Sequence, residues 1–314
     1  MFMKHVVVIG GGHGLAVILR GIKHLADIKL SAIVTVADDG GSTGRLRQQY
    51  QIPAMGDIRN VMCAMAESET LLSSLMNYRF EGDEGDVAGH NLGNLILTAL
   101  SQSCGSFMDA IQTFSKVLKV KGDIIPSTTD IITLYAVMED GTIVRGESNI
   151  PTIDNHIRHV FYDRPINASR QAIKAIHDAD YIIYGIGSLY TSIMPNLIIE
   201  EIREELRRCH AKKVYFCNAM TQPGETDNYT LEEHVHAICE HTFPHAVDIV
   251  VTHDNTIHTD VLDHYMREGS KEVRAVLKEH SYELMKRDIL KFEDGLIRHD
   301  SNKIRDVVDE ILRM

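Results

Sequence analysis

The sequence predicts an α/β protein: a mostly parallel sheet covered by helices on both faces, with a helical insertion. Three observations carry this. Short apolar runs that read as strands alternate with segments of helical spacing. Several of those runs are apolar throughout rather than alternating, as in strands buried on both faces. The first two are joined by a crossover of helical length, which parallel pairing requires. The 314 residues are enough to bury a full core, in one large α/β domain or two smaller ones.

Residues 6–9, Val-Val-Val-Ile, form the first strand and run into a glycine turn. Leu15, Ile18, Leu19, Ile22 and Leu25 then mark one face of a helix over 14–25, and residues 30–37 are a second strand. Residues 57–120 read as helical, with one apolar stripe at Ile58, Val61, Met62 and Met65 and another at Leu92, Leu95, Ile96, Ala99 and Leu100. The acidic, glycine-rich stretch 81–86 interrupts them as an exposed loop. Residues 131–138 and 142–147 flank Asp140-Gly141, a hairpin signal. The second half alternates again: helix 168–178, strand 181–184, a helix carrying Leu197, Ile198, Ile202 and Leu206, and strand 214–217. Next come helix 230–241, opened by a Thr230/Glu233 capping box, strand 248–252, a short strand at 295–299 and helix 302–312. The expected organisation is one domain over 1–314. It comprises a first βαβ half to about residue 56, the insertion to about residue 120, and a second α/β half.

A formal charge of −12 argues against broad nucleic-acid or anionic-membrane binding, which needs positive surface. Aromatics at 6% with no Trp argue against a stacking platform for single strands. Five cysteines without C-x-x-C spacing read as buried thiols in a reducing compartment. The apolar run at the start is too short for a secretion signal, and no window of 18 uncharged apolar residues reads as a membrane span. A cytoplasmic protein is expected.

Gly10-Gly11-Gly12-His13-Gly14 lies where a strand becomes a helix. Glycine lets the backbone approach a ligand, and a helix start offers N–H groups and positive partial charge, so phosphate or diphosphate binding is implied. The strict G-x-G-x-x-G fingerprint is absent. Asp38-Asp39-Gly40-Gly41-Ser42-Thr43-Gly44 ends the second strand, at the edge where ligands bind. Asp38 and Asp39 are the candidates for holding a ribose, a metal or a reacting hydroxyl, and Gly40, Gly41 and Ser42 for a backbone anion nest. Asp57, in Gly56-Asp57-Ile58-Arg59-Asn60, reads first as a helix cap, with Arg59 a phosphate or acid partner. Asn91 and Asn94 share one direction before an apolar helix, either as caps or as readers of a base or sugar. Gly187, Ser188, Tyr190 and Thr191 belong to a second strand–glycine–helix junction that begins at Gly185, and Asn218 and Thr221 follow the next strand. These loops converge on one rim, where a cleft belongs. Arg298 is a charge clamp or solvated surface, and Ser301 is a phosphorylation candidate by position alone. His234, His236, Cys239 and His241 cluster without the spacing of a metal site, and read as surface or capping residues. No G-x-S-x-G elbow occurs.

Taken together, these motifs, with Arg145-Gly146-Glu147-Ser148 and Thr221-Gln222-Pro223-Gly224-Glu225-Thr226, occur in an order that resembles the bacterial gluconeogenesis factor family (YvcK-like). That family lies within the wider fold of the 2-phospho-L-lactate transferases (CofD-like). The resemblance spans about residues 6–298. It implies a Rossmann-like three-layer α/β sandwich with a mostly parallel central sheet. It implies a UDP-sugar or related nucleotide as ligand, UDP-N-acetylglucosamine foremost, and a cytoplasmic role in cell shape and wall synthesis during gluconeogenic growth. Two positions depart from the family pattern: His13 stands where Thr is usual, and Ile186 where Pro is common.

Two readings of function follow. In the first, the chain is a ligand-binding regulator that needs no cofactor. The two glycine loops hold a diphosphate, and Asn91, Asn94 and Asn218 read base or sugar. The absence of an obvious general base or nucleophile favours this reading. In the second, it is a transferase in which Asp38 and Asp39 bind Mg²⁺ or place an acceptor hydroxyl. A homo-oligomer and a cell-wall synthesis partner stay open. A nicotinamide oxidoreductase is weaker still, because the fingerprint fails.

Overall fold

Strand β1 (Lys4–Gly10) has Val6, Val7, Val8 and Ile9 wholly buried. Successive strand residues point to opposite faces, so four buried in a row require cover on both sides. A computed structural model of the chain, describing residues 3–67, 71–82 and 85–314, supplies that cover. Helix α1 (Gly12–Ile22) follows, then β2 (Ile28–Val34). Five helices come before the next strand: α2 (Gly41–Tyr50), α3 (Gly56–Met65), α4 (Leu71–Asn77), α5 (Leu92–Ser103) and α6 (Phe107–Val117). The acidic loop is exposed at Glu81, Gly82, Gly85 and Asp86; its Asp83 and Glu84 lie outside the described residues.

The short strand β3 (Asp123–Pro126) leads to the expected hairpin of β4 (Leu134–Met138) and β5 (Ile143–Arg145). Strand β6 (Ile157–Tyr162) pairs with β4 to make a small antiparallel sheet. Next come α7 (Arg170–His177), β7 (Tyr181–Tyr184), α8 (Met194–Leu197), α9 (Glu200–Arg208) and β8 (Lys212–Phe216). Helix α10 (Leu231–His241) carries the capping box at Thr230 and Glu233. After it stand β9 (Ile249–His253), α11 (Thr259–Arg267) and β10 (Glu283–Arg287). A hairpin of β11 (Leu290–Glu293) and β12 (Leu296–His299) precedes α12 (Ser301–Arg313), capped by Asp300.

The central sheet has seven strands in the order β10-β9-β8-β7-β1-β2-β3, all parallel. The α/β class and the parallel sheet are as the sequence predicts. The order reverses between β1 and β7, the two strands at the centre. In such sheets the chain leaves neighbouring strands in opposite directions at that point, opening a crevice at their carboxyl ends. Helix α1 packs against α3 and α12, and α9 against α7.

The histidine group on α10 corrects one expectation. His236 is exposed, but His234 is wholly buried and donates from Nδ1 to the Thr230 carbonyl at 2.8 Å. His241 accepts the Val160 N–H at Nε2 and so donates from Nδ1 to the Ala237 carbonyl. These two rings tie α10 to itself and to β6 rather than facing solvent. Among the described residues no helix is long and apolar enough to cross a membrane.

Candidate functional site

The loops that leave β1 and β7 touch. A side chain at Gly14 would overlap the carbonyl of Ile186, and one at Gly10 would contact the Gly185 Cα. Gly12 adopts φ +64°, a left-handed conformation that favours glycine. The two bends wall a cleft of about 400 Å³ with Gly11, Gly12, His13 and Gly14 on one side and Gly187, Ser188, Thr191 and Ser192 on the other. Asp38, Asp57, Glu147 and Gln222 complete it. The cleft sits at the topological switch point, where nucleotide sites form in this architecture.

Carboxylates already occupy the helix starts that face this cleft. Asp57 is not the cap of α3. It stands in that helix's first turn and accepts the N–H of Gly12 from across the crevice. Burial and the charge of Asp38 push its carboxyl up to about 7. Glu147 is pushed up to about 8 by burial and by the neighbouring carboxylates, Asp38 first among them. Glu225 is buried; it accepts the Tyr190 N–H at 3.2 Å and the Thr191 hydroxyl at 3.0 Å, and burial raises its carboxyl as well. An acid crowded by other acids in a poorly solvated crevice holds its proton longer.

The second glycine loop is held by side chains from the loop after β8. Asn218 donates to the Gly187 carbonyl at 2.8 Å and accepts its N–H at 3.3 Å. Gln222 donates to Ser188 Oγ at 2.8 Å. Asn218 therefore shapes the cleft instead of lining it. Thr221 is buried, with its N–H on the Lys271 carbonyl and its hydroxyl accepting the Lys271 N–H. The Tyr190 hydroxyl is 2.8 Å from that of Tyr229, within the core.

The second acidic loop divides. Asp38 lines the cleft and accepts the Gly40 N–H at 2.9 Å. Asp39 accepts the N–H groups of Glu147 (3.2 Å) and Ser148 (2.9 Å), and so brings Glu147 to the cleft. Gly40 caps α2 and Gly41 begins it, so the expected nest is a helix start. Ser42 is buried, 3.1 Å from His90 Nδ1, and accepts the Asn91 N–H and the Asn94 amide. Asn91 caps α5. Arg59 is buried behind the cleft, and Arg298 is exposed on β12 with a bond to the Ile297 carbonyl. None of Ser42, Arg59, Asn91, Asn94 or Arg298 lines the cleft. Among the described residues no group of three or more His, Cys, Asp or Glu is disposed to hold a metal ion.

Asp57, Glu147 and Glu225 carry more of the site than their sequence positions suggest. Arg47 is another such residue: buried beneath the loop that follows β2, it donates to the Asp38 carbonyl at 3.0 Å and to the Ala37 carbonyl at 3.3 Å. Only the lack of an apolar reason for an Arg on that helix face marks it in the sequence.

Residues 6–290 match the family model described as 2-phospho-L-lactate transferase CofD. The chain is 42% identical over 312 residues to the gluconeogenesis factor of Bacillus subtilis, covering 98% of each. It is 44% identical over 304 residues to that of Listeria monocytogenes, covering 96% of this chain and 94% of the relative. A crystal structure of a UPF0052-family protein from Bacillus halodurans superposes with a TM-score of 0.93 at 42% identity, covering 97% of this chain and 99% of the other. With these relatives and this sheet order, the chain belongs to the CofD family, on the branch whose members are named gluconeogenesis factors.

Proposed function

We propose that the chain binds a nucleotide-diphosphate sugar in the cleft between its two glycine loops and acts as a regulator. UDP-N-acetylglucosamine is the favoured ligand, and cell shape and wall synthesis during gluconeogenic growth the favoured role. The observation that carries the reading is the contact of the 10–14 and 185–188 bends at the switch point. Two helix starts open there on one small crevice, an arrangement suited to a diphosphate. The kinship with named gluconeogenesis factors supports the regulatory role.

The carboxylates decide what must accompany the ligand. Asp38, Asp57 and Glu147 face the same space, so a dianionic diphosphate enters with a cation or with protons on those acids. Asp38 and Asp57 are the pair that fits a magnesium ion, which typically takes one or two carboxylates together with phosphate oxygens. Asp39 is turned away to its two amides. When bound, such an ion supplies charge neutralisation at the phosphates.

The same carboxyls sustain the second reading, a transferase acting on a nucleotide diphosphate ester. Glu147 and Asp57, with ionisation near neutrality, are suited to exchange a proton with an acceptor hydroxyl.

Thermal shift with UDP-sugars, UDP, GDP and NAD, each with and without Mg²⁺, tests the proposal. UDP-N-acetylglucosamine is expected to give the largest shift, on the order of 2.7 kcal/mol of added stability at 100 times Kd. A flat response to every UDP-sugar overturns it. Mg²⁺-dependent consumption of the ester by pure protein selects the transferase reading.

A further inference from the structure

One group of basic side chains takes no part in the cleft. Arg59 on α3 is 9% exposed. Its Nη2 donates to Asn60 Oδ1 at 2.6 Å, and its Nε reaches no partner. Its stem crosses the first turn of α5, where a Cβ on Gly93 would lie 2.8 Å from Arg59 Cδ. Arg45 and Arg79 approach that same end of α5 from the surface. Arg45 donates to the Ala88 carbonyl and Arg79 to the Gly89 carbonyl, each at 2.9 Å. His90 follows at once, buried against Ser42.

Buried guanidinium groups are normally paired, because desolvating the charge is costly. None of these three arginines has an ion pair among the described residues. They also act on one another and on His90. Burial and Arg79 pull the Arg59 pKa down, and burial, Arg45 and Arg79 pull that of His90 down. In a chain of charge −12, Asp57 and Asp38 act on Arg59 only from beyond ion-pair distance, and among the described residues no carboxylate pairs with these like charges, which leaves donors open to an anion. Arginine's planar fork suits phosphate oxygens.

We propose that Arg45, Arg59 and Arg79, around the first turn of α5, form a second anion site for inorganic phosphate or a phosphate monoester, separate from the glycine-loop cleft. The site lies one layer behind the cleft wall. Asn94 donates to Ser42 Oγ at 3.3 Å and to Thr43 Oγ1 at 3.4 Å. A Cβ on Gly56 would meet Thr43 Oγ1 at 2.7 Å and Asp38 Oδ2 at 2.8 Å. An anion that draws the three arginines together therefore bears on the starts of α2, α3 and α5, and through them on Asp38. That coupling rests on the ligand reading of the cleft; the anion site itself does not.

The experiment titrates inorganic phosphate against chloride at matched ionic strength, with the full chain. Thermal shift and ³¹P line broadening are the readouts. Wild type, the R45Q/R79Q double variant and H13D are compared. Arg45 and Arg79 are exposed, so the double variant keeps the fold, and H13D places a negative charge in the cleft alone. Wild type and H13D are expected to respond to phosphate alike, while R45Q/R79Q needs at least tenfold more. No phosphate-specific response in wild type, or an unchanged one in R45Q/R79Q, overturns the proposal. A response lost in H13D but kept in R45Q/R79Q places the phosphate in the cleft and also overturns it. Loss of UDP-sugar binding with this pattern intact fails the cleft reading alone. A glucose-6-phosphate arm separates the two sources: competition with inorganic phosphate supports a site open to monoesters. Failure to compete removes monoesters from the proposal.

Discussion

The Asp57 carboxylate accepts the main-chain N–H of Gly12, the residue at which the first glycine loop turns into α1. An acid from the first turn of α3 thus stands where an incoming phosphate oxygen would stand. Ligand and carboxylate compete for one donor, and Asp57 at about 7 is half protonated near neutral pH. In metal-free buffer, UDP binding is therefore expected to weaken as pH rises from 6 to 9, by up to about tenfold per pH unit for each group that ionises. Asp57→Asn removes the change around pH 7, and Glu147→Gln the change around pH 8. Isothermal titration at five pH values checks this, and a flat profile in wild type counts against it.

Stability should respond to pH in two opposed ways. Asp57 and Glu147 hold protons in the folded chain that the unfolded chain has already lost, so their contribution falls as pH rises through about 4 to 8. Buried histidines act in the opposite sense: His299 is pulled down to about 4 by burial, so stability falls as pH drops from 6.5 towards 4. Urea midpoints from pH 5 to 9 measure both limbs. Asp57→Asn is expected to remove a loss on the order of 2–4 kcal/mol that accumulates between about pH 4 and 7.

Glu225 is 4% exposed and satisfies donors of the turn that follows the second glycine loop. Glu225→Ala leaves those buried donors unpaired, at a cost of roughly 2–4 kcal/mol. Glu225→Gln keeps an acceptor and should cost less than half as much. Chemical denaturation of the two variants gives the ratio, and equal losses would contradict the capping role.

Gly14→Ala forces a methyl group into the Ile186 carbonyl. Backbone must move, at about 1–3 kcal/mol, and the two bends part. The UDP-sugar thermal shift should vanish in a variant that still unfolds cooperatively.

His13 is exposed on the cleft rim. His13→Asp is expected to leave the melting temperature of the free chain within a degree or two and to weaken UDP-sugar binding at least tenfold, about 1.4 kcal/mol. Unaltered affinity would place the diphosphate elsewhere.

Local chemistry announced the elements whose pattern is unmixed. The apolar run of β1 at 6–9, strand β7, the capping box of α10 and the Asp140-Gly141 hairpin are all where the sequence puts them. The strands β3, β6 and β10 escaped for a common reason. β3 is four residues long and ends in proline, β6 mixes Arg158 and His159 with Val160 and Phe161, and β10 carries Glu283, Lys286 and Arg287. They lie at the borders of their sheets, where one side needs no apolar cover.

The sequence by itself determined the parallel α/β class, the order of the polar loops and the glycines that let two of them approach. It did so because periodicity and glycine act over a few residues. Only the tertiary structure decided that Asp57 leaves its own helix for Gly12, that Asp39 serves the backbone while Asp38 faces the cleft, and that Asn91 and Ser42 lock helices together. Each of these depends on which partner stands within about 3 Å across the fold, and on how much water is left around a charge. Neither quantity is encoded in residue spacing along the chain.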